Sequence, residues 1–426
     1  MPRPLAIIAI LCAGVTPFLL ASTGAATDAD QQDFAQIARG HYLVTLADCS
    51  ACHTDPDNGK PFAGGRPIET PFGMILSANI TPDRETGIGN WTDDQFDKAV
   101  RHGIRADGKR LYPAMPYTAY TKMSRDDVKA IRAYLATLAP VHNAVQTDRL
   151  PFPLNIRLGM VAWDALFFHD GAFKADPHKS AEWNRGAYLV TGPGHCGACH
   201  TPKNFLGGDK TAQALRGAQV QGWFAPNITG DKTRGLGGWS KDDIAHLLQT
   251  GHNKETGVTG PMGEEVADAS SRFNQSDLMA IATYLKSMDV TTTDPAPLPA
   301  SDKRMAAGQA IYRDTCSACH GLDGKGVPSL FPSLAMAATV RADDPTSAIR
   351  VLLRGARSVA TKREPTAPAM PSFAWQLNDA QAAAVLTYVR NSWGAAAPAV
   401  SPGQVGKARA DLAKRDQASP LSLTAR

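Results

Sequence analysis

One short pattern, present three times, constrains this chain more than anything else in it. Cys-x-x-Cys-His occurs as Cys49-Ser-Ala-Cys52-His53, Cys196-Gly-Ala-Cys199-His200 and Cys316-Ser-Ala-Cys319-His320. Six of the seven cysteines lie in these copies. The spacing suits covalent attachment of c-type haem, in which two thiols add to the vinyl groups and the next histidine is placed under the iron. A redox disulfide or half of a zinc site would account for Cys-x-x-Cys, but not for a histidine after every second cysteine. Three covalently bound haem c groups are therefore expected, on Cys49, Cys52, Cys196, Cys199, Cys316 and Cys319, with His53, His200 and His320 as proximal iron ligands.

The second axial ligand follows from an internal repeat. Arg39-Gly-His-Tyr-Leu-Val-Thr45 before the first site matches Arg185-Gly-Ala-Tyr-Leu-Val-Thr191 before the second. Asn79-Ile-Thr81 likewise matches Asn227-Ile-Thr229, and Gly87 to Thr92 matches Gly235 to Ser240. A thioether usually fills the sixth position in electron-transfer cytochromes c. Met115 and Met262 each lie 62 residues after their histidines, His53 and His200. Met74 and Met123 have no such counterpart. In the more distant third unit Met370, between Ala369 and Pro371, repeats the proline-flanked context 50 residues after His320. Met115, Met262 and Met370 are thus the expected distal ligands.

Capping signals and 3.6-residue periodicity place helices around each site. Val128, Ile131, Tyr134 and Leu135 share one face after Ser124; Leu278, Ile281, Tyr284 and Leu285 repeat it, as do Val385, Tyr388 and Val389. Thr92 and Ser240 open further helices. Tyr134, Tyr284, Tyr388, Trp91 and Trp239 read as packing residues, and Asn79 and Asn227 as makers of a structural side-chain hydrogen bond. The expected fold is all-α, as three tandem cytochrome c-like haem domains joined by linkers. Residues 1–26 read as a signal peptide, since a charge, an apolar run and small residues follow one another; Cys12 would leave with it. The haem domains then span 27–149, 183–290 and 301–395, with linkers at 150–182 and 291–300 and a tail at 396–426. The first linker is apolar enough either to pack on the first domain or to meet a partner. In the tail, Val405, Ala408 and Leu412 can share one helical side, too thin for more than weak surface binding.

Net charge is only +4 with the signs interspersed, so no basic stripe for nucleic acid exists. The three attachment sites, the Asn79 to Asp83 and Thr86 to Thr92 runs, Tyr112-Pro-Ala-Met-Pro-Tyr117 and Gly260-Pro-Met-Gly263 resemble the triheme cytochrome c subunits of membrane-bound bacterial dehydrogenases. That family serves quinoprotein alcohol dehydrogenases and flavin-dependent gluconate, sorbitol and fructose dehydrogenases. The resemblance implies a non-catalytic electron-transfer subunit, exported to the periplasm and peripherally associated with the inner membrane surface. Its implied partners are a flavin- or pyrroloquinoline quinone-dependent catalytic subunit and membrane ubiquinone. Some family members end in an apolar membrane helix; Leu421 to Arg426 form no such run. A free-standing periplasmic electron shuttle is the alternative, and a haem peroxidase is disfavoured by three well-placed methionines.

Overall fold

The computed structural model describes Met1 and residues 33–57, 59–293, 296–328 and 330–418. Apart from Met1, the expected signal segment and Cys12 lie outside the described residues. The first repeat runs α1 (Phe34–Leu46), α2 (Cys49–His53), β1 (Pro67–Thr70), β2 (Gly73–Leu76), α3 (Asp93–His102), α4 (Tyr117–Tyr120) and α5 (Arg125–Ala136). The strand β3 (Asp148–Arg149) pairs with β2, and α6 (Gly159–Phe167) follows. The second repeat has α7 (Ala181–Thr191), α8 (Gly197–His200), β4 (Ala218–Val220), β5 (Trp223–Ala225), α9 (Lys241–Thr250), α10 (Pro261–Asp268) and α11 (Gln275–Ser287). The third stretch has α12 (Lys303–Ile311), α13 (Ser317–His320), α14 (Ala338–Arg341), α15 (Thr346–Arg354), β6 (Ala356–Arg357), β7 (Ala369–Met370), α16 (Asp379–Val389) and α17 (Pro402–Ala418).

Cytochrome c-like helices dominate, and the all-α expectation needs one amendment: antiparallel pairings β1–β2–β3, β4–β5 and β6–β7. Each strand is two to four residues long, too short for alternation to register in sequence. The caps behave as the sequence predicts. Thr92 and Ser240 form reciprocal capping boxes with Gln95 and Asp243, and Gly103 and Gly251 end their helices in the left-handed region.

A helix before each Cys-x-x-Cys-His crosses the last helix of the repeat at a glycine. A Cβ on Gly40 would stand 1.9 Å from the Ala130 carbonyl oxygen of α5, and one on Gly186 1.9 Å from that of Ala280 on α11. Gly308 approaches Ala384 of α16 in the same way, at 2.2 Å. Only a glycine permits that backbone approach. The predicted faces point into these crossings, with Val128, Ile131, Leu135, Leu278, Ile281, Leu285, Val385 and Val389 buried.

The first two repeats share one continuous apolar core, from Leu43 to Leu285, whereas Tyr312 to Leu412 form a second. A reciprocal latch joins the repeats. Arg39 Nε donates to Asp127 at 2.8 Å within the first, and Arg185 Nε to Asp277 at 2.8 Å within the second. Tyr42 of the first repeat donates to Asp277 of the second at 2.8 Å, and Tyr188 of the second donates to Asp127 of the first. Each nearly buried carboxylate therefore serves both repeats, which relates them by a pseudo-two-fold.

The segment expected as a linker at 150–182 contains α6 and packs on the first repeat: Asp164 accepts from Tyr117 at 2.7 Å and pairs with Arg110 at 3.1 Å. Its Trp163 donates to the Leu206 carbonyl of the second repeat. Phe152, Leu158, Val161 and Leu166 remain exposed, so one side packs and the other does not. The tail differs from a surface-binding segment. Val405 and Leu412 are buried in the third core, Arg409 pairs with Asp379, and Arg415 reaches Glu69 of β1 at 2.6 Å. The thin apolar side of that helix is used against protein.

In the third core Arg390 is wholly buried. Burial lowers its pKa to about 10. Its guanidinium donates to the carbonyls of Val340 at 2.9 Å and Ala342 at 2.7 Å, tying α14 to the end of α16.

Candidate functional site

Each Cys-x-x-Cys-His forms a short helical turn directly after the crossing helix. The turn puts both sulfurs on one side and the histidine at its end, in α2, α8 and α13. None of the six cysteines is in a disulfide among the described residues, and burial would raise the unattached thiols of Cys49 and Cys196 to about 12 and of Cys52 and Cys316 to about 11. Among the described residues no cysteine belongs to a group of three or more clustered ligating side chains.

The histidines are held in one orientation. His53 Nδ1 lies 2.7 Å from the Ala78 carbonyl oxygen, His200 Nδ1 2.7 Å from that of Pro226, and His320 Nδ1 3.1 Å from that of Pro332. A backbone carbonyl can only accept, so Nδ1 carries the proton and Nε2 keeps its lone pair. Burial lowers the pKa of all three, which favours the neutral imidazole, the form able to ligate a metal.

The repeated Asn-Ile-Thr explains how two of these carbonyls are fixed. Asn79 Oδ1 accepts from Thr81 N at 2.9 Å and Thr81 Oγ1 at 2.7 Å, and its Nδ2 donates to the Val141 carbonyl at 2.7 Å. Asn227 receives the same two bonds from Thr229. The clamp sits immediately after Ala78 or Pro226, so the predicted structural hydrogen bond of Asn79 and Asn227 has a job: it sets the acceptor for the histidine. Among the described residues the third stretch shows no such clamp, and its acceptor lies only 12 residues after His320 instead of 25 or 26.

Met115 lies half-buried in a turn, its amide bonded to the Tyr112 carbonyl at 3.1 Å, and packs against the first core, as Cys49 does separately. Met262 is half-buried on the first turn of α10 after Pro261, and Met370 sits on β7, paired with Ala356 and packed with Cys316 on the second core. The rejected alternatives have other work. Met123 is fully buried core, and Met74 is an exposed strand residue. Trp239 is buried, and the tyrosines pack against aromatics, with Tyr388 5.5 Å from Tyr312 and Tyr284 5.1 Å from Trp183.

The first two sites face each other. Helix α10, which carries Met262, packs on the first attachment turn α2, and Arg66 bridges them by donating to Ala51 O at 2.9 Å and Glu264 at 2.6 Å. Conversely Tyr120, at the end of the Met115 segment, packs at 5.6 Å against His195 beside the second attachment turn. At this junction burial raises Asp48 to about 8 and Glu265 to about 7, which keeps uncompensated negative charge low between the sites. The third stretch meets the second through β5: Phe224 N donates to Ser347 Oγ at 2.8 Å, and the Arg350 guanidinium lies 4.5 Å over Trp223, whose ring abuts Gly260.

Sequence reading missed the carbonyls of Ala78, Pro226 and Pro332, the shared Asp127 and Asp277, and the Tyr120–His195 contact. The duplicated Asn-Ile-Thr was the available pointer to the first two carbonyls.

A cytochrome c family model matches residues 37–139 and 305–393. The gluconate 2-dehydrogenase cytochrome c subunit of Pantoea cypripedii is 40% identical over 403 residues, 90% of this chain and 91% of that one. The quinone alcohol dehydrogenase cytochrome c subunit of Gluconobacter oxydans (strain 621H) is 39% identical, over 92% of this chain and 86% of that one. The fructose dehydrogenase cytochrome subunit of Gluconobacter japonicus is 38% identical, over 88% and 82%. Free cysteine pairs beside neutral, Nδ1-anchored histidines fit the family's prosthetic group, and the likeness runs through almost the whole length. This chain belongs to the cytochrome c family, among the cytochrome c subunits of alcohol, gluconate and fructose dehydrogenases.

Proposed function

We propose that this chain is a triheme c-type cytochrome, a non-catalytic subunit that takes electrons from a separate periplasmic dehydrogenase and delivers them to membrane ubiquinone. The observation that carries the reading is the threefold Cys-x-x-Cys-His whose histidine is bonded through Nδ1 and leaves Nε2 for iron. Cys49 and Cys52, Cys196 and Cys199, and Cys316 and Cys319 would hold haem c. His53 with Met115, His200 with Met262, and His320 with Met370 would be the axial ligands, in haem units at 27–149, 183–290 and 301–395. Bound haem supplies a one-electron ferric–ferrous couple.

The protein's own residues orient and insulate. Asn79 and Asn227 fix the carbonyls that set the imidazoles, and the shared core packs beside the first two sites. Contact of α10 with α2, and of Trp223 with Arg350, supports an order of the units as first, second, third. The catalytic partner would be a flavin- or pyrroloquinoline quinone-dependent subunit oxidising an alcohol, sugar or sugar acid. Among the described residues no helix is long and apolar enough to cross a membrane. Attachment to the periplasmic face of the inner membrane would run through the partner, after export directed by residues 1–26.

The exposed side of α6 and its approach, with Phe152, Leu158 and Leu166, favours a subunit over a freely diffusing shuttle, because a lone shuttle gains nothing from such a patch. The test is affinity purification from the native membrane. A dehydrogenase subunit should co-purify, and its substrate should reduce the cytochrome in the isolated complex; recovery of the chain alone from the soluble fraction would contradict the reading.

A further inference from the structure

We propose that His246, His252 and Glu364 form a binding site for a divalent transition-metal ion of the zinc class, at the seam between the second repeat and the third stretch. The three side chains offer ligand atoms all within 4.8 Å of one another. His246 Nε2 is 3.3 Å from Glu364 Oε1, and His252 Nε2 contacts Glu364 Oε2. Tetrahedral zinc with ligand bonds of about 2.0–2.1 Å places its donors about 3.3 Å apart, the spacing His246 and Glu364 already hold, while the other two pairs would adjust on binding. Two imidazoles and one carboxylate are a familiar zinc set that leaves a fourth position for water. The half-exposed His246 opens the cluster to solvent, whereas His252 is nearly buried.

Local structure presents the three groups. His246 lies on α9, one turn before its C-terminal end. Gly251, with φ of 85°, reverses the chain and brings His252 back beside it, and Thr250 Oγ1 holds the turn by donating to the His252 carbonyl at 2.8 Å. The rings end edge to face, 6.0 Å between centroids. Glu364 comes from the other side of the seam on a tight turn, its amide donating to Thr361 Oγ1 at 3.2 Å and its carbonyl accepting from Thr361 N at 2.9 Å. The same loop packs Val359 against Gly251 and Gly263 before it reaches β7 and Met370. A metal here would fasten the loop leading to Met370 to the turn next to Met262.

The alternative is a plain His–Glu ion pair with no affinity for metal. Titration of the haem-loaded full-length protein with zinc sulfate, after chelator treatment, separates the two. The site predicts uptake of one zinc per chain at micromolar concentration or below, a raised melting temperature, and weak competition from magnesium, which prefers oxygen ligands. His252→Ala should weaken uptake at least tenfold. His246→Ala, at a half-exposed position tolerant of change, should weaken it without altering haem content. No stoichiometric uptake, or uptake unchanged in a variant combining His246→Ala, His252→Ala and Glu364→Gln, would overturn the proposal.

Discussion

At the residue scale, a buried asparagine and a methionine carry the most specific expectations. Asn79 satisfies Thr81 and the Val141 carbonyl at once. Asn79→Ala should therefore cost about 1–3 kcal/mol in denaturant unfolding, because it strands the buried Thr81 amide. Met262→His tests the ligand assignment: the second haem should stay covalently attached while its midpoint potential falls, since a thioether favours ferrous iron more than imidazole does. An unchanged redox titration would remove Met262 from the site. The cysteines and histidines were legible in the sequence because covalent chemistry fixes their spacing. The acceptors for histidine Nδ1 were not, because a backbone carbonyl carries no residue identity, and Ala78, Pro226 and Pro332 share no side-chain chemistry.

At the element scale, helices with a cap and four or more periodic positions were readable, and hairpins of two to four residues were not. The turn after β5 gives a pH expectation. Burial alone would raise the pKa of Asp231, but bonds from the Arg234 amide, Thr292 and Thr233 outweigh it and hold the group at about 2. A folded value below the unfolded one adds stability that is full above pH of about 4 and lost as pH falls toward about 2, a difference of about 2 kcal/mol. Chemical unfolding of the native chain and of Asp231→Asn across that range should show the gap between them closing as the pH drops. A gap independent of pH would mean that the carboxylate's charge contributes nothing. Helix α6 was readable only as too apolar for a linker. Which side packed depended on Tyr117 and Arg110, far away in sequence.

At the scale of the whole molecule, the duplication was visible in the sequence, but the sharing of Asp127 and Asp277 between copies was not. Such a latch arises only when two similar surfaces meet about a pseudo-two-fold, which similarity alone does not specify. The tail shows the same limit: its apolar side was legible, and what covered it was not. Ending the chain at residue 396 should remove Val405 and Leu412 from the third core and cost that unit roughly 3–6 kcal/mol. Limited proteolysis should then cut the third stretch before the first two repeats, whereas an unchanged digestion pattern would mean that α17 contributes nothing to that core. The central claim is the number and ligation of the haems, and an anaerobic reductive titration of the purified full-length chain, followed by absorption spectroscopy, reads both. Three electron equivalents per chain, with low-spin, sulfur-ligated iron throughout, is the predicted result; two equivalents, or any five-coordinate haem, would contradict it.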